Sequence, residues 1–589
     1  MPKISSLVSI LLISCVSEAI FAATWYVDCS VSVPGDGTSR ESAFKTIQQG
    51  IDAASHGETV IVAPGTYVEN IHFLYKNITL RSVNPLDSNI VASTIIDGSQ
   101  SGSVVIFSGT ENGTCTLSGF TIRNGEALAE GGGVCGQAGY LRYTHATIEN
   151  NVITHNSAGS GGALAYCSGA IQNNIITGNS ADMYGGGLYN CGGLINSNTI
   201  TGNSAGYYGG GLYECNGTIQ KNTITGNSAG HDGGGLYECN GTIQNNTITG
   251  NSARVYGGGL HECDGAIQNN TIAGNSAACG GGLDCCDGAI QNNAIMNNSA
   301  DCAGGLFWCD GVIQNNTIAG NWAGRIGGGV AYCDGMIQGN RIVGNSAEEE
   351  GGGLRNCLGT IRNNSIAGNS ARAGGGLYWC DGICDGIIEN NTITGNSATL
   401  WGGGLYQCIG TIMNCIVWGN TAPTDPQLRE SSIPMYSCIE GWIPDGVGNI
   451  FMNPQFIDPD GPDNDPATYE DNDYRLSPPS PCVDTGKNED WMSQSLDLEG
   501  NPRVVGESVD MGAYEWLSSI TGIEFLTTGN LQLTWSSRPE AAYTIWSCCD
   551  PSGKSTWTEE TTILSGGELT IWTDPNPASV CKFYRIQSW

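Results

Sequence analysis

The sequence predicts an all-β solenoid, a parallel β-helix with three short strands per coil. The first observation behind this is a period. Residues 161–422 repeat a phrase close to GGGLYECNGTIQNNTITGNSAG. Its anchor falls at Leu164, Leu188, Leu212, Leu236, Leu260, Leu283, Leu306, Val330, Leu354, Leu377 and Leu405, in steps of 23 or 24 residues until the last, which has four more. A period this regular means stacked repeats. The second observation is the sparse apolar spacing. Ile follows the anchor at plus seven (Ile219, Ile243) and plus twelve (Ile224, Ile248), with Asn, Gly, Thr and Ser between. Those residues form turns and weak helices, so each repeat reads as three strands of four to six residues. The third observation is that identical residues recur in columns. Parallel strands about 4.8 Å apart would stack Asn203, Asn227, Asn251, Asn275, Asn298, Asn321, Asn345 and Asn369 into an amide ladder. Twelve anchors, counting Val134, make a rod of about 55 Å.

Taken in order, residues 1–22 read as a secretion signal. Lys3 precedes the apolar stretch 7–16, and Ala22 and Ala23 offer a cleavage point. Leu12-Ile13-Ser14-Cys15 also has the form of a lipoprotein box, with Cys15 as the lipid site. Residues 23–130 read as an N-terminal cap and irregular first coils. Phe44, Ile47, Ile51 and Ala54 share one face of a helix expected over 41–54, suited to cover the open end of a solenoid. Residues 131–422 are the regular coils. In each, the Asn-Gly or Asp-Gly pair marks a turn, where the glycine is expected to supply a positive φ. Residues 423–516 lose the period and read as C-terminal coils and cap. Residues 518–589 alternate aromatic and β-branched residues in LQLTW, AAYTIW, LTIWT and KFYRIQSW, the pattern of a separate β-sandwich module.

The repeats resemble those of the pectate-lyase-like superfamily of right-handed parallel β-helices. The nearest flavour is the GGG[IL] and GNSA repeat of polymorphic outer membrane proteins and similar bacterial surface proteins. GDGTSRESAFKTIQQGIDAA followed by GETVIVAPGTYVENI resembles the opening of many secreted β-helix proteins. SPCVDTG, DLEGNPRV and VDMGAYE resemble a cap behind bacterial β-helices, and the last module is similar to fibronectin-type-III-like domains. The resemblance implies right-handed coils, in line with the general preference for right-handed crossovers. It leaves chemistry open, because the superfamily holds lyases, hydrolases, esterases and adhesins alike.

The chain has 589 residues and a formal charge of −34, which argues against nucleic acid and anionic membrane as partners. No run after the signal approaches ~20 apolar residues, so no transmembrane helix is expected. Eleven of the 25 cysteines fall three residues after the anchor, from Cys167 to Cys408. They read as a column of buried thiols, with serial disulfides or a soft-metal wire as alternatives. Cys279 and Cys302, on neighbouring coils of a turn, are the best candidates for one disulfide.

A calcium site is the first chemical candidate. Glu214, Glu238 and Glu262 share one column, and Asp264, Asp287 and Asp310 another. Stacked carboxylates repel, so Ca²⁺ would be favourable there; otherwise the Asp residues serve the turn and the Glu residues are solvated. Arg325, Glu349 and Arg372 read as an alternating salt-bridge ladder. No nucleophile elbow, phosphate loop or zinc spacing is found, and no cofactor is implied beyond that calcium. The drifting columns around the glycine triplet are aromatic: Tyr184, Tyr208 and Tyr256 before it, Tyr189, Tyr213, Tyr237, Tyr378 and Tyr406 after it, with Trp308 and Trp379 beside them. Such rows suit stacking against sugar rings or another surface protein, or they serve ladder stability alone. The expectation is a protein secreted or held at a bacterial cell surface, acting in adhesion or glycan binding without catalysis. A polysaccharide lyase or glycoside hydrolase acting on an acidic polymer, and a structural spacer, are the alternatives.

Overall fold

The computed structural model of the protein describes residues 22–137, 143–380, 386–442, 445–465, 468–469, 471–518, 520–528, 530–538, 540–548, 557–574 and 582–588. The signal segment and Cys15 lie outside them. Between Thr24–Val27 and Cys438–Ile439 the chain winds into a solenoid with three long parallel sheets of 16, 15 and 16 strands. They are called here the glutamine face (Ile219–Gln220 and its equivalents), the leucine face (Leu212–Tyr213) and the threonine face (Thr223–Thr225). Register is residue on identical residue: Leu212 pairs with Leu236, Ile219 with Ile243, and Ile224 with Ile248.

The strands are shorter than expected, most of them two or three residues, and most of the regular coils have a fourth. Ser204–Ala205 pairs with Ser228–Ala229 inside the segment read from the sequence as a turn. Ala205 and Ala229 tuck their methyl groups inward, which gives this corner a strand's alternation.

Each coil sends the same four side chains to the axis. Leu236, Cys239, Ile243 and Ile248 have no exposed surface, nor do their counterparts above and below. Full burial of each Leu or Ile contributes about 1.5–3 kcal/mol. The cysteines are free thiols, and Cys239 Sγ donates to Tyr237 O at 3.4 Å. Burial holds the Cys239, Cys263 and Cys286 thiols well above the usual range, so they fill space and stay protonated. Cys279 and Cys302 are register partners on neighbouring coils and are free thiols as well.

Two asparagine ladders flank the threonine face. One contains the expected column, extended from Asn156 to Asn420. The other runs from Asn151 to Asn391, through the Asn-Asn turn. In both, a buried amide donates to the next asparagine and to a main-chain carbonyl of the coil before, as Asn222 does to Asn246 Oδ1 at 3.0 Å and Ile195 O at 2.9 Å.

The Asn-Gly turn works differently from the expectation. Gly217 does not have a positive φ. A Cβ there would lie 1.9 Å from Gly193 O, so the position needs glycine because the coils approach too closely for a side chain. The left-handed residue is three earlier, at Glu214 (φ 49°), and the same corner recurs at Glu238, Glu262, Cys285, Trp308 and Trp379.

The N-terminal helix is shorter than the apolar pattern implied, Ile47–Ala53. Thr46 and Gln49 close a capping box that starts it late. Ile47 and Ile51 cover the first coil. The expected Arg325–Glu349–Arg372 ladder does not form. All three side chains are exposed and none is in an ion pair, since holding long side chains together in water gains too little. The charge that does pair is Arg355 with Glu350, at 3.1 Å.

Beyond the last coil, residues 450–517 fold back over the threonine face. Tyr474, Ala513 and Tyr514 pack on Ala367, and Cys438 joins Leu476, Cys482 and Met511. Two three-stranded antiparallel sheets follow, packed on Leu531, Leu533, Trp535, Tyr543 and Ile545. Among the described residues no helix is long and apolar enough to cross a membrane.

Candidate functional site

The glycine triplet turns the chain so sharply that residues on either side of it face each other. Gly209 takes a positive φ (67°), and a Cβ on Gly210 would collide with the main chain of Ser228 and Gly234. The residue four before each anchor and the residue one after it therefore form two files along one edge of the leucine face.

On the upper coils these files are tyrosine, and they interdigitate. Tyr184 stacks on Tyr213 at 4.9 Å and Tyr208 on Tyr237 at 4.7 Å. Along the second file Tyr189, Tyr213 and Tyr237 follow at 5.4 and 5.3 Å, and Tyr143 and Tyr166 continue it toward the N-terminus. Tyr256 closes the group against His261 at 5.7 Å. Six of the ten aromatic candidates are thus brought into one cluster. Much of their ring face is spent on each other, and Tyr237 is only 8% exposed.

Lower down, Phe307 stacks on Trp308 at 4.7 Å, and the Tyr378 and Tyr406 rings meet edge to face at 5.3 Å. Arg355 lies over Tyr332 at 4.7 Å. Arg355, Tyr332 and Tyr166 belong to the edge although the sequence reading passed over them; Arg355 lies in the column after the anchor, and Tyr332 and Tyr166 lie one residue further on, at the left-handed corner that also holds Trp308 and Trp379. Trp308 and Trp379 stand at the left-handed corner and are 48% and 47% exposed. Trp308 spends one face on Phe307, and both indoles keep nearly half their surface in solvent.

The two acidic columns stay separate. Asp264, Asp287 and Asp310 serve the turn: Asp287 N donates to Asp264 Oδ1 at 3.0 Å, Asp310 N to Asp287 Oδ1 at 2.9 Å, and Asp334 N to Asp310 Oδ1 at 2.8 Å. Glu214, Glu238 and Glu262 are half-buried at the corner. Burial, together with Glu262 and Glu214 on either side, raises the Glu238 carboxyl above its usual range. Glu262 also accepts from the Tyr237 hydroxyl at 3.1 Å.

The unforeseen feature lies between the two aromatic groups. Where the file should carry further rings it carries His261 and then Asp284, register partners on neighbouring coils. Their ligand atoms and the Cys285 thiol all lie within 4.8 Å of one another. Burial works against the His261 imidazolium, but the Asp284 carboxylate beside it outweighs burial and raises its pKa. Burial likewise raises Asp284, against the pull of His261 and Cys285. No short motif announces this trio. The sequence signal was a break in the tyrosine column, legible only once the coils are aligned.

Residues 103–263 match the family described as right handed beta helix region. With the parallel sheets, that decides the architecture. The protein carries a right-handed β-helix. No curated protein matches the chain. Among solved structures, this β-helix protein is similar to pectate lyase Pel9A, at 14% identity over 84% of this chain and 97% of that one, with a TM-score of 0.18.

Proposed function

We propose that this β-helix protein is secreted or held at a cell surface and binds polysaccharide along its aromatic edge, as an adhesive module without a catalytic step. The observation that carries the reading is the pair of exposed indoles. Trp308 and Trp379 occupy equivalent corners three coils apart, roughly 14 Å along the axis. Tyr332 and Tyr378 lie between them in sequence and space, with Arg355 over the Tyr332 ring. Exposed indole surface in line with half-exposed phenol rings suits the flat faces and hydroxyls of consecutive sugars.

The test is gel retardation in polygalacturonate and in alginate, with and without calcium, for the wild type and for W308A/W379A. Both tryptophans are exposed, so the variant should fold. Retardation by one polymer is expected, and the double variant should weaken it by about tenfold or more, since each stacked ring contributes about 0.5–1.5 kcal/mol beyond its burial. Unchanged retardation would reject this edge as the binding face. Absence of retardation by either polymer would favour the spacer reading. New unsaturated or reducing ends on the polymer would replace the binding reading with a lyase or hydrolase.

A further inference from the structure

We propose that His261, Asp284 and Cys285 form a binding site for one zinc-class divalent cation at the middle of the aromatic edge. The site is independent of the glycan reading. It begins with a buried carboxylate. Asp284 is 0% exposed, and neither of its oxygens makes a hydrogen bond. His261 Nδ1 lies 3.2 Å from Asp284 Oδ1 but out of line for a hydrogen bond, and it too has no hydrogen-bond partner. Buried polar atoms are nearly always hydrogen-bonded, so buried ligand atoms that lack hydrogen bonds and lie within 4.8 Å of one another and of the Cys285 thiol call for a ligand.

The backbone explains why the thiol joins them. Adjacent residues on a regular strand point to opposite faces. Cys285 instead sits at the left-handed corner (φ 49°), which keeps its thiol on the same side as Asp284. The surroundings are negative. Glu262 lies 3.6 Å from His261 Nε2. Asp232, on the facing file, is buried and accepts from Tyr256 N at 3.0 Å. No lysine or arginine pairs with any of the three ligands.

One imidazole nitrogen, one carboxylate oxygen and one thiolate sulfur form a borderline-soft set. It fits Zn²⁺ and discriminates against Ca²⁺, which takes six or more oxygens. Three protein ligands leave a fourth position for water or a ligand atom, as open zinc sites do. A free cysteine thiol carries its proton at neutral pH. Binding therefore replaces the S–H bond with a metal–sulfur bond and releases the proton to solvent.

The full-length chain, stripped with a chelator, should take up one tight equivalent of Zn²⁺ in competition with a chromophoric chelator, releasing protons. Co²⁺ in its place should give thiolate-to-cobalt charge-transfer absorption. The informative variants are H261Y, which copies the tyrosine of the three preceding coils, together with D284N and C285S. Each should lower affinity more than about 100-fold, beyond the cost of losing an outer-shell partner. H261Y should retain the wild-type far-UV spectrum, so its loss of metal cannot be laid to misfolding. Uptake that persists unchanged in all three variants would place the metal on other thiols and overturn the site. So would a Co²⁺ complex without the thiolate band, or the absence of uptake.

Discussion

Asn251→Ala is expected to destabilise the solenoid by about 4 kcal/mol, read from guanidinium unfolding of the full chain. Asn251 is fully buried in the ladder that runs down the inner corner of the coils. Its Oδ1 accepts from Asn227 N and Asn227 Nδ2, both at 3.0 Å. Its Nδ2 donates to Ile224 O and to Asn275 Oδ1, both at 3.0 Å. Truncation removes all four bonds and leaves a main-chain N–H and one amide hydrogen of Asn227 unpaired in a dry interior. Each orphan costs about 1–3 kcal/mol, and the side chain is too enclosed for water to replace it at no cost. In a stack that is stable coil by coil, the damage should appear as early opening around coils 227–275 rather than as a uniform shift. Thr247→Ala, on the exposed side of the same coil, should change stability by no more than about 0.5 kcal/mol. An Asn251→Ala effect below about 1 kcal/mol would mean that the ladder decorates the coil instead of holding it.

That ladder was legible in the sequence because a period of identical residues leaves no choice of register. The same logic made the Leu, Cys and Ile core readable, since residues that must repeat to fill an axis repeat visibly. What escaped obeys a different rule. The second ladder, Asn151 to Asn391, sat within a turn whose residues are explained equally well by turn propensity. Gly217 was assigned a conformational reason because Asn-Gly pairs usually have one. The actual reason, the 1.9 Å approach of Gly193 O, exists only between coils. His261, Asp284 and Cys285 carry no spacing motif, because a solenoid makes neighbours of residues one full coil apart. In such a fold the period reports structure, and function has to be sought in departures from it.

The C-terminal cap follows neither rule, and it gives the second large effect. Arg503→Met is expected to destabilise residues 450–517 by about 3–5 kcal/mol, because it removes the guanidinium from a buried polar cluster and leaves the groups it serves unpaired. Arg503 and Glu515 are completely buried and 2.9 Å apart, and Arg503 also donates to Asp510 O at 3.0 Å. Asp510 is anchored by Asp484 N at 2.7 Å and Trp516 N at 2.6 Å, while Glu515 N donates to Asp497 Oδ2 at 2.9 Å. The segments DLEGNPRV and VDMGAYE thus meet as one polar hub over Thr392, whose hydroxyl accepts from Ala513 N at 3.0 Å. One guanidinium serves several carboxyls, and burial raises Asp510 to about 7 and Glu515 to about 9. The sign follows from the unfolded values near 4. Folded pKa values above the unfolded ones mean that the unfolded chain gives up these protons first. The cap's stability is then greatest below about pH 4 on this account and is lost as pH climbs through 7 toward 9. Glu515→Gln should raise the cap's stability at pH 7, because it matches the protonated acid of the folded state and spares the proton uptake that folding otherwise requires, and it should flatten the profile between about pH 4 and 9. Arg503→Met should steepen it, because the remaining carboxylates lose their one buried cation. Trp516 packs between the cap and the C-terminal sheets, so its fluorescence during unfolding at pH 5, 7 and 9 reads the hub. A profile that rises with pH, or a Glu515→Gln variant as unstable as Arg503→Met, would show that the pair is fully ionised and that the guanidinium satisfies both acids at once.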